Sequence, residues 1–224
     1  MKQTTDGVRA IILASILLCI TISLTGARAV QEKNGGLRVA TVDVGRLYNE
    51  YSFTINTLQE LQKREQVSIT VLRTLAQHAL LSEADQKALA DLVTAEATSP
   101  NGLTPEQKTK KQQLLDKSKA MSEEFLALQQ KVVGQLTPQD KEKLNQYSRA
   151  QNETEQRLQR SRAETEEALQ GDMIKNRNKA FKDVRDAVAK VARDKGVTLV
   201  LESQFAWYAE TDLTEDALKV LNKK

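Results

Sequence analysis

The side chains able to do chemistry are few, and their spacing does not assemble a reaction. His78 is the only histidine, flanked by Gln77 and Ala79 in a helical stretch, and the only cysteine is Cys19, inside an apolar N-terminal run. A lone imidazole cannot build a zinc site, which needs three or four ligands, and it has no thiol partner to activate. His78 therefore reads as a surface or seam residue. Asp43-Val-Gly45 has the order of an acidic phosphate-handling turn, but no glycine-rich loop accompanies it, so a helix cap is the plainer role for Asp43. Glu123-Glu124 and Glu164, Glu166 and Glu167 sit among basic residues at helical spacing, as solvated faces with i to i+4 pairing do. Lys108, Lys110, Lys111, Lys117 and Lys119 form the one local charge excess, opposed by Glu106 and Asp116. A solvated helix face is the plainer reading of these lysines, with weak contact to anionic lipid or an acidic client as the alternative. No aromatic residues interleave with them, which argues against a nucleic-acid groove. The residues point to a protein that is not an enzyme and uses no cofactor or metal.

The elements that position these groups follow from composition. Only 4% of the 224 residues are aromatic while 28% are charged, a supply that suits long helices better than a thick globular core. Lys2 and Arg9 precede the apolar run Ala10 to Leu24, and Ala27-Arg28-Ala29 follows as a small-x-small cleavage site, so residues 1–29 read as a secretory signal cleaved after Ala29. The apolar run is shorter than the roughly 20 residues of a bilayer span, and Gly26 and Arg28 close it. Leu18 is too bulky for a lipidation signal at Cys19. Cleavage would leave no cysteine and, by removing Lys2, Arg9 and Arg28 against Asp6, would lower the formal charge from +3 to +1. The expected compartment is the periplasm, and the expected chain there is nearly neutral.

Val39 to Tyr51 (VATVDVGRLYNEY) reads as a short strand running into a helix capped by Asp43, with Leu47, Tyr48 and Tyr51 on one face. Ile55, Leu58, Leu61, Ile69, Leu72 and Leu75 then mark one amphipathic helix from Ser52 to Leu80. The phrase beginning at Leu81, Leu103 and Leu136 places Ser82, Thr104 and Thr137 as N-caps, with Asp85, Gln107 and Asp140 at the third helical position and Pro105 and Pro138 at the first. From Pro138 to Lys195 the chain contains no further proline, which allows one helix of roughly 87 Å. Its seam is polar or small through Ala150, Thr154, Leu158, Ser161 and Thr165, where weak packing is expected, and turns apolar at Ile174, Phe181, Val184, Val188 and Val191. Gly196 ends it as a C-prime residue. Val197 to Glu202 and Phe205 to Ala209 read as two strands joined by a hairpin at Ser203-Gln204, and Thr214 as the cap of a short last helix. Six of the nine aromatics, Tyr48, Tyr51, Phe53, Phe205, Trp207 and Tyr208, lie near the two ends, which places the core where the ends meet. The expected fold is mainly α with a small β-sheet body of about three strands, an α+β arrangement. The body is expected from 30–52 and 190–224. A long antiparallel helical arm is expected from 53–189, with several capped helices at 82–137.

The two ends resemble the Skp/OmpH family of periplasmic chaperones. The resemblance is carried by Val39-Ala-Thr-Val-Asp-Val-Gly-Arg-Leu-Tyr48 at the head and, at the tail, by Ala187 to Glu202, Ala206-Trp-Tyr208 and Asp212 to Asn222. It implies an ATP-independent holdase that binds unfolded outer-membrane or exported proteins in a cavity between the arms of a homotrimer. Val39, Val42, Leu47, Tyr48, Val197, Leu199, Leu201, Trp207 and Tyr208 would then build the assembly body, and Leu58, Leu72, Leu126 and Leu158 would touch clients. The family's strong positive charge is absent from residues 30–224, so no residue is carried over for electrostatic capture. The alternative function is a non-catalytic envelope spacer or adaptor that uses its arms as coiled-coil surfaces.

Overall fold

A computed structural model describes residues 36–206 and 208–223. Residues 1–29, read as a secretory signal, and Trp207 lie outside the described residues. The chain is mainly helical, with one small sheet and one very long helix. The order is β1 (Val39–Val42), α1 (Val44–Glu50), α2 (Ser52–Gln77), α3 (Glu83–Thr98), α4 (Pro105–Gln130), α5 (Pro138–Asp194), β2 (Leu199–Glu202), β3 (Thr211–Asp212) and α6 (Thr214–Leu221).

The helix starts obey local chemistry. Asp43, Ser82, Thr104 and Thr137 each accept a hydrogen bond from the backbone amide three residues on, and Thr104 and Thr137 form reciprocal capping boxes with Gln107 and Asp140. Each such cap is worth about 1 kcal/mol, because it satisfies an amide that the helix cannot. α5 runs uninterrupted for 57 residues. It closes where Gly196, at φ +65°, lets the Val197 amide reach the Ala192 carbonyl and its own amide reach Arg193, satisfying two terminal carbonyls.

β1 is the central strand, with β2 on one side and β3 on the other, and both pairings are parallel. The hairpin at Ser203-Gln204 and the strand at Phe205–Ala209 are therefore corrected. Ser203–Phe205 is a single 3-10 turn, and the third strand is the two-residue segment Thr211–Asp212. The physical reason lies in the partner: β3 bonds to the far edge of β1, not to β2, so residues 203–210 must cross from one edge of the sheet to the other, a path that a two-residue hairpin cannot span. Thr214 is also corrected as a cap. Leu213 is the N-cap residue of α6, while the Thr214 amide donates to Asp212 Oδ1 at 2.7 Å and its hydroxyl is turned inward. Asp212, one residue before the cap, does the work expected of Thr214.

The body core gathers Ala40 and Val42 from β1, Leu47 and Tyr51, Ala180, Val184, Ala187 and Val191 from α5, and Leu213, Ala217 and Leu218. Both ends of the chain thus contribute, and α5 enters the core as early as Ala180. A second core, of Leu81, Leu89, Leu92, Val93, Leu103 and Leu114, forms among α3, α4 and the turns flanking them. Between the two cores run α2 and α5. Tyr51 meets Asp183, Arg64 meets Asp172, Ser68 meets Thr165 and Ala79 meets Thr154, so numbers fall along α5 as they rise along α2.

The polar seam of α5 is not uniformly weak. Thr154 is 1% exposed, donating to the Ala79 carbonyl and accepting from Gln86 at 2.8 Å, while Gln86 also donates to the Leu81 carbonyl and accepts from Arg157. Buried polar groups persist only when bonded in this way. Farther along, the seam is more open than expected, since Ile174 and Phe181 remain partly in solvent.

Candidate functional site

His78 lies just past the C-terminus of α2, where its Nδ1 is 2.8 Å from Ser118 Oγ on α4, and burial lowers its pKa. It is a seam contact between two helices. Asp43 Oδ1 is committed to the Arg46 amide at 2.7 Å. Glu124 binds Lys143 and Tyr147, and these partners hold its carboxyl below the usual range, Lys143 first. Glu123 and Glu166 pair with Lys119 and Arg162 on their own helices. Among the described residues no three His, Cys, Asp or Glu side chains group where a metal could sit, and no helix is long and apolar enough to cross a membrane.

The lysine-rich helix α4 is partly neutralised. Lys111 pairs with Glu96 and Lys117 with Asp85 at 2.7 Å, both on α3, so these two lysines clamp the helix pair rather than project. Lys117 is also the main reason that the Asp85 carboxyl lies below its ordinary pKa. Lys108 and Lys110 are exposed on the first turns of the same helix.

What remains is apolar surface. Val42 and Leu47 are in the body core, Tyr48 stacks on Phe181 with ring centroids 5.0 Å apart, and Val197 packs against the core from outside. Strand residues alternate faces, so Ala40, Val42 and Val200 point at the helices while Val39, Leu199 and Leu201 share the opposite face. That face is open along the edge strand β2, with Leu199 41% and Leu201 36% exposed, while on β1 Val39 is half-buried and Thr41, on the same face, is buried. Phe205 at 77% and Tyr208 at 85% lie just beyond it in the chain.

No family model, curated protein or solved structure matches this chain.

The four leucines expected to meet clients do not form one site. Leu72 and Leu158 come together in a cleft of about 500 Å³ between α2 and α5, with Ile69 and Leu169 beside them. Leu58 lies nearer the body against Met173, and Leu126 is exposed on α4. Sequence reasoning missed Leu169, eleven residues after Leu158 and so again on the same helical face. It also missed a cleft of about 450 Å³ in the body, floored by Val44, Val188 and Val200 beside Phe181, because its lining joins two strands, a short helix and α5 from distant parts of the chain.

Proposed function

We propose that this protein is a periplasmic, ATP-independent holdase, exported by cleavage after Ala29. Three copies join through their sheet bodies and hold unfolded outer-membrane or exported proteins between antiparallel arms of α2 and α5. The observation that carries this reading is the open face of the parallel sheet. Parallel sheets are normally covered on both faces, and here one face presents Leu199 and Leu201 of the edge strand to solvent. A symmetric partner supplies the cover at little design cost, since one patch serves every copy. The long α2–α5 pair, with an apolar cleft but no chemical constellation, suits binding of extended chains. The likeness of both chain ends to the Skp/OmpH chaperones points the same way.

A second reading is favoured by the separate core at Leu89, Leu92 and Leu114. A well-packed tip with Leu126 exposed suits a spacer or adaptor that docks one folded envelope partner.

Suppression of aggregation separates the two. A denatured outer-membrane β-barrel protein diluted into buffer is expected to stay soluble when this protein is present at about one assembly per client. An intact assembly that leaves the aggregation rate unchanged contradicts the holdase reading, and selective, salt-resistant retention of one folded envelope protein supports the spacer.

A further inference from the structure

Of the clefts along the α2–α5 pair, the one holding Leu72 and Leu158 has both an apolar floor and a charged rim of one dominant sign. The floor is Ile69, Leu72, Leu158 and Leu169, and the rim carries Glu65, Glu155 and Glu166 against Arg162 alone. Arg162 is already paired with Glu166 at 3.1 Å, and among the described residues neither Glu65 nor Glu155 forms an ion pair. The cleft on the other face of the same helices is lined by both signs in equal number: Lys63 and Arg64, the latter paired with Asp172, stand beside Glu60 and Glu164 there. The acidic rim is therefore particular to one side.

These two carboxylates mark opposite ends, Glu155 accepting a hydrogen bond from Gln159 Nε2 at 3.5 Å. Because Ala79 meets Thr154 and Ser68 meets Thr165, Glu155 stands at the end nearest Ala76, and Glu65 at the end nearest Leu169. From Glu65 to Ala76 the helix rises about 16 Å. An extended chain covers that length in about five residues, with alternate side chains turned to the same face. The volume lies within the roughly 300–1,000 Å³ of pockets that enclose a ligand.

We propose that this cleft binds an extended segment of about five residues whose first, third and fifth positions are apolar and which is flanked on both sides by basic residues. The assignment rests on the holdase reading and names the client chemistry that reading leaves open. Apolar side chains at the first, third and fifth positions lie on Ile69, Leu72, Leu158 and Leu169. Lysine or arginine just before and just after the five meets Glu65 at one end and Glu155 at the other. Negative charge at either end is repelled, so selection operates by disfavouring acidic flanks as well as by attraction.

The test uses the full assembly and three fluorescein-labelled peptides, KKLSVSFKK, SSLSVSFSS and EELSVSFEE, followed by fluorescence anisotropy. The lysine-flanked peptide is expected to bind about tenfold tighter than the glutamate-flanked one, a gap of the size that a few exposed ion pairs supply, and added salt is expected to narrow it. The double variant Glu65→Lys with Glu155→Lys, both on the surface, is expected to reverse the order while its helical circular dichroism and melting temperature stay unchanged. Equal binding of the three peptides overturns the assignment. So does binding of none, the result expected if the helix of a second copy fills the cleft. The same preparation is assayed for suppression of client aggregation. Suppression without peptide preference removes the cleft assignment and leaves the holdase standing, whereas peptide preference without suppression does the reverse.

Discussion

The backbone amide of Asp43 donates to the hydroxyl of Thr214 at 2.9 Å, binding the residue that caps α1 to the first turn of α6, 171 residues later. Around it, the Glu202 carboxylate accepts from the Val44 amide, and Asn222 Oδ1 accepts from the Ser52 amide while its Nδ2 donates to the Glu50 carbonyl. The backbone donors at the starts of α1 and α2 are thus satisfied by the last 23 residues of the chain, Glu202 to Lys224. The body cannot form from either end alone.

Thr214→Val keeps the shape of a buried side chain and removes the acceptor. The Asp43 amide is then left short of a partner, at a cost of about 1–3 kcal/mol. Urea unfolding is expected to show a lower midpoint with an unchanged slope, and Thr214→Ser is expected to recover most of the loss.

Gln86→Leu tests the polar junction between α3 and α5. The change leaves the Leu81 carbonyl and Arg157 without Gln86 and takes one partner from Thr154, an expected cost of about 1–3 kcal/mol. Because the tip and the body have separate cores, hydrogen exchange is expected to accelerate across residues 79–93 and to change little at β1. Equal acceleration in both regions would show the two cores to be one cooperative unit.

Tyr51 gives the body an alkaline limit. Burial, and then its hydrogen bond to Asp183, raise its pKa from 10.0 to about 12. A folded-state pKa above the unfolded one contributes stability that is fully present below pH 10 and is lost as pH rises from 10 to about 12. Tyr147, raised to about 12 by burial and then by Glu124, adds a similar loss at the tip. Tyr51→Phe is expected to lower stability at neutral pH and to flatten its decline across this window, as measured by denaturant unfolding at stepped pH. An unchanged slope would remove Tyr51 as the cause.

The caps at Ser82, Thr104 and Thr137 were legible in the sequence because a cap is decided within four residues. The long α5 was legible from the lack of proline after Pro138. β3 was not: two residues, Thr211 and Asp212, carry no alternation, and the aromatic run beginning at Phe205 imitates a strand more closely than the strand itself. The tip core was hidden for another reason. Leu89, Leu103 and Leu114 each look like ordinary helix or turn residues, and only the packing of α3 on α4 makes them a core. In the cleft, Leu72 and Leu158 were visible as apolar residues on helical faces, but their meeting depends on the register of two helices, which Ser68 and Thr165 fix across 97 residues. The acidic rim is legible only once that register is known.

The central claim is assembly through the open sheet face, and the mass of the protein in solution tests it most directly. Light scattering on the purified protein is expected to give the mass of three chains, and Leu199→Asp with Leu201→Asp is expected to reduce it to one chain with helical content retained. A stable single-chain mass for the unaltered protein would contradict the account.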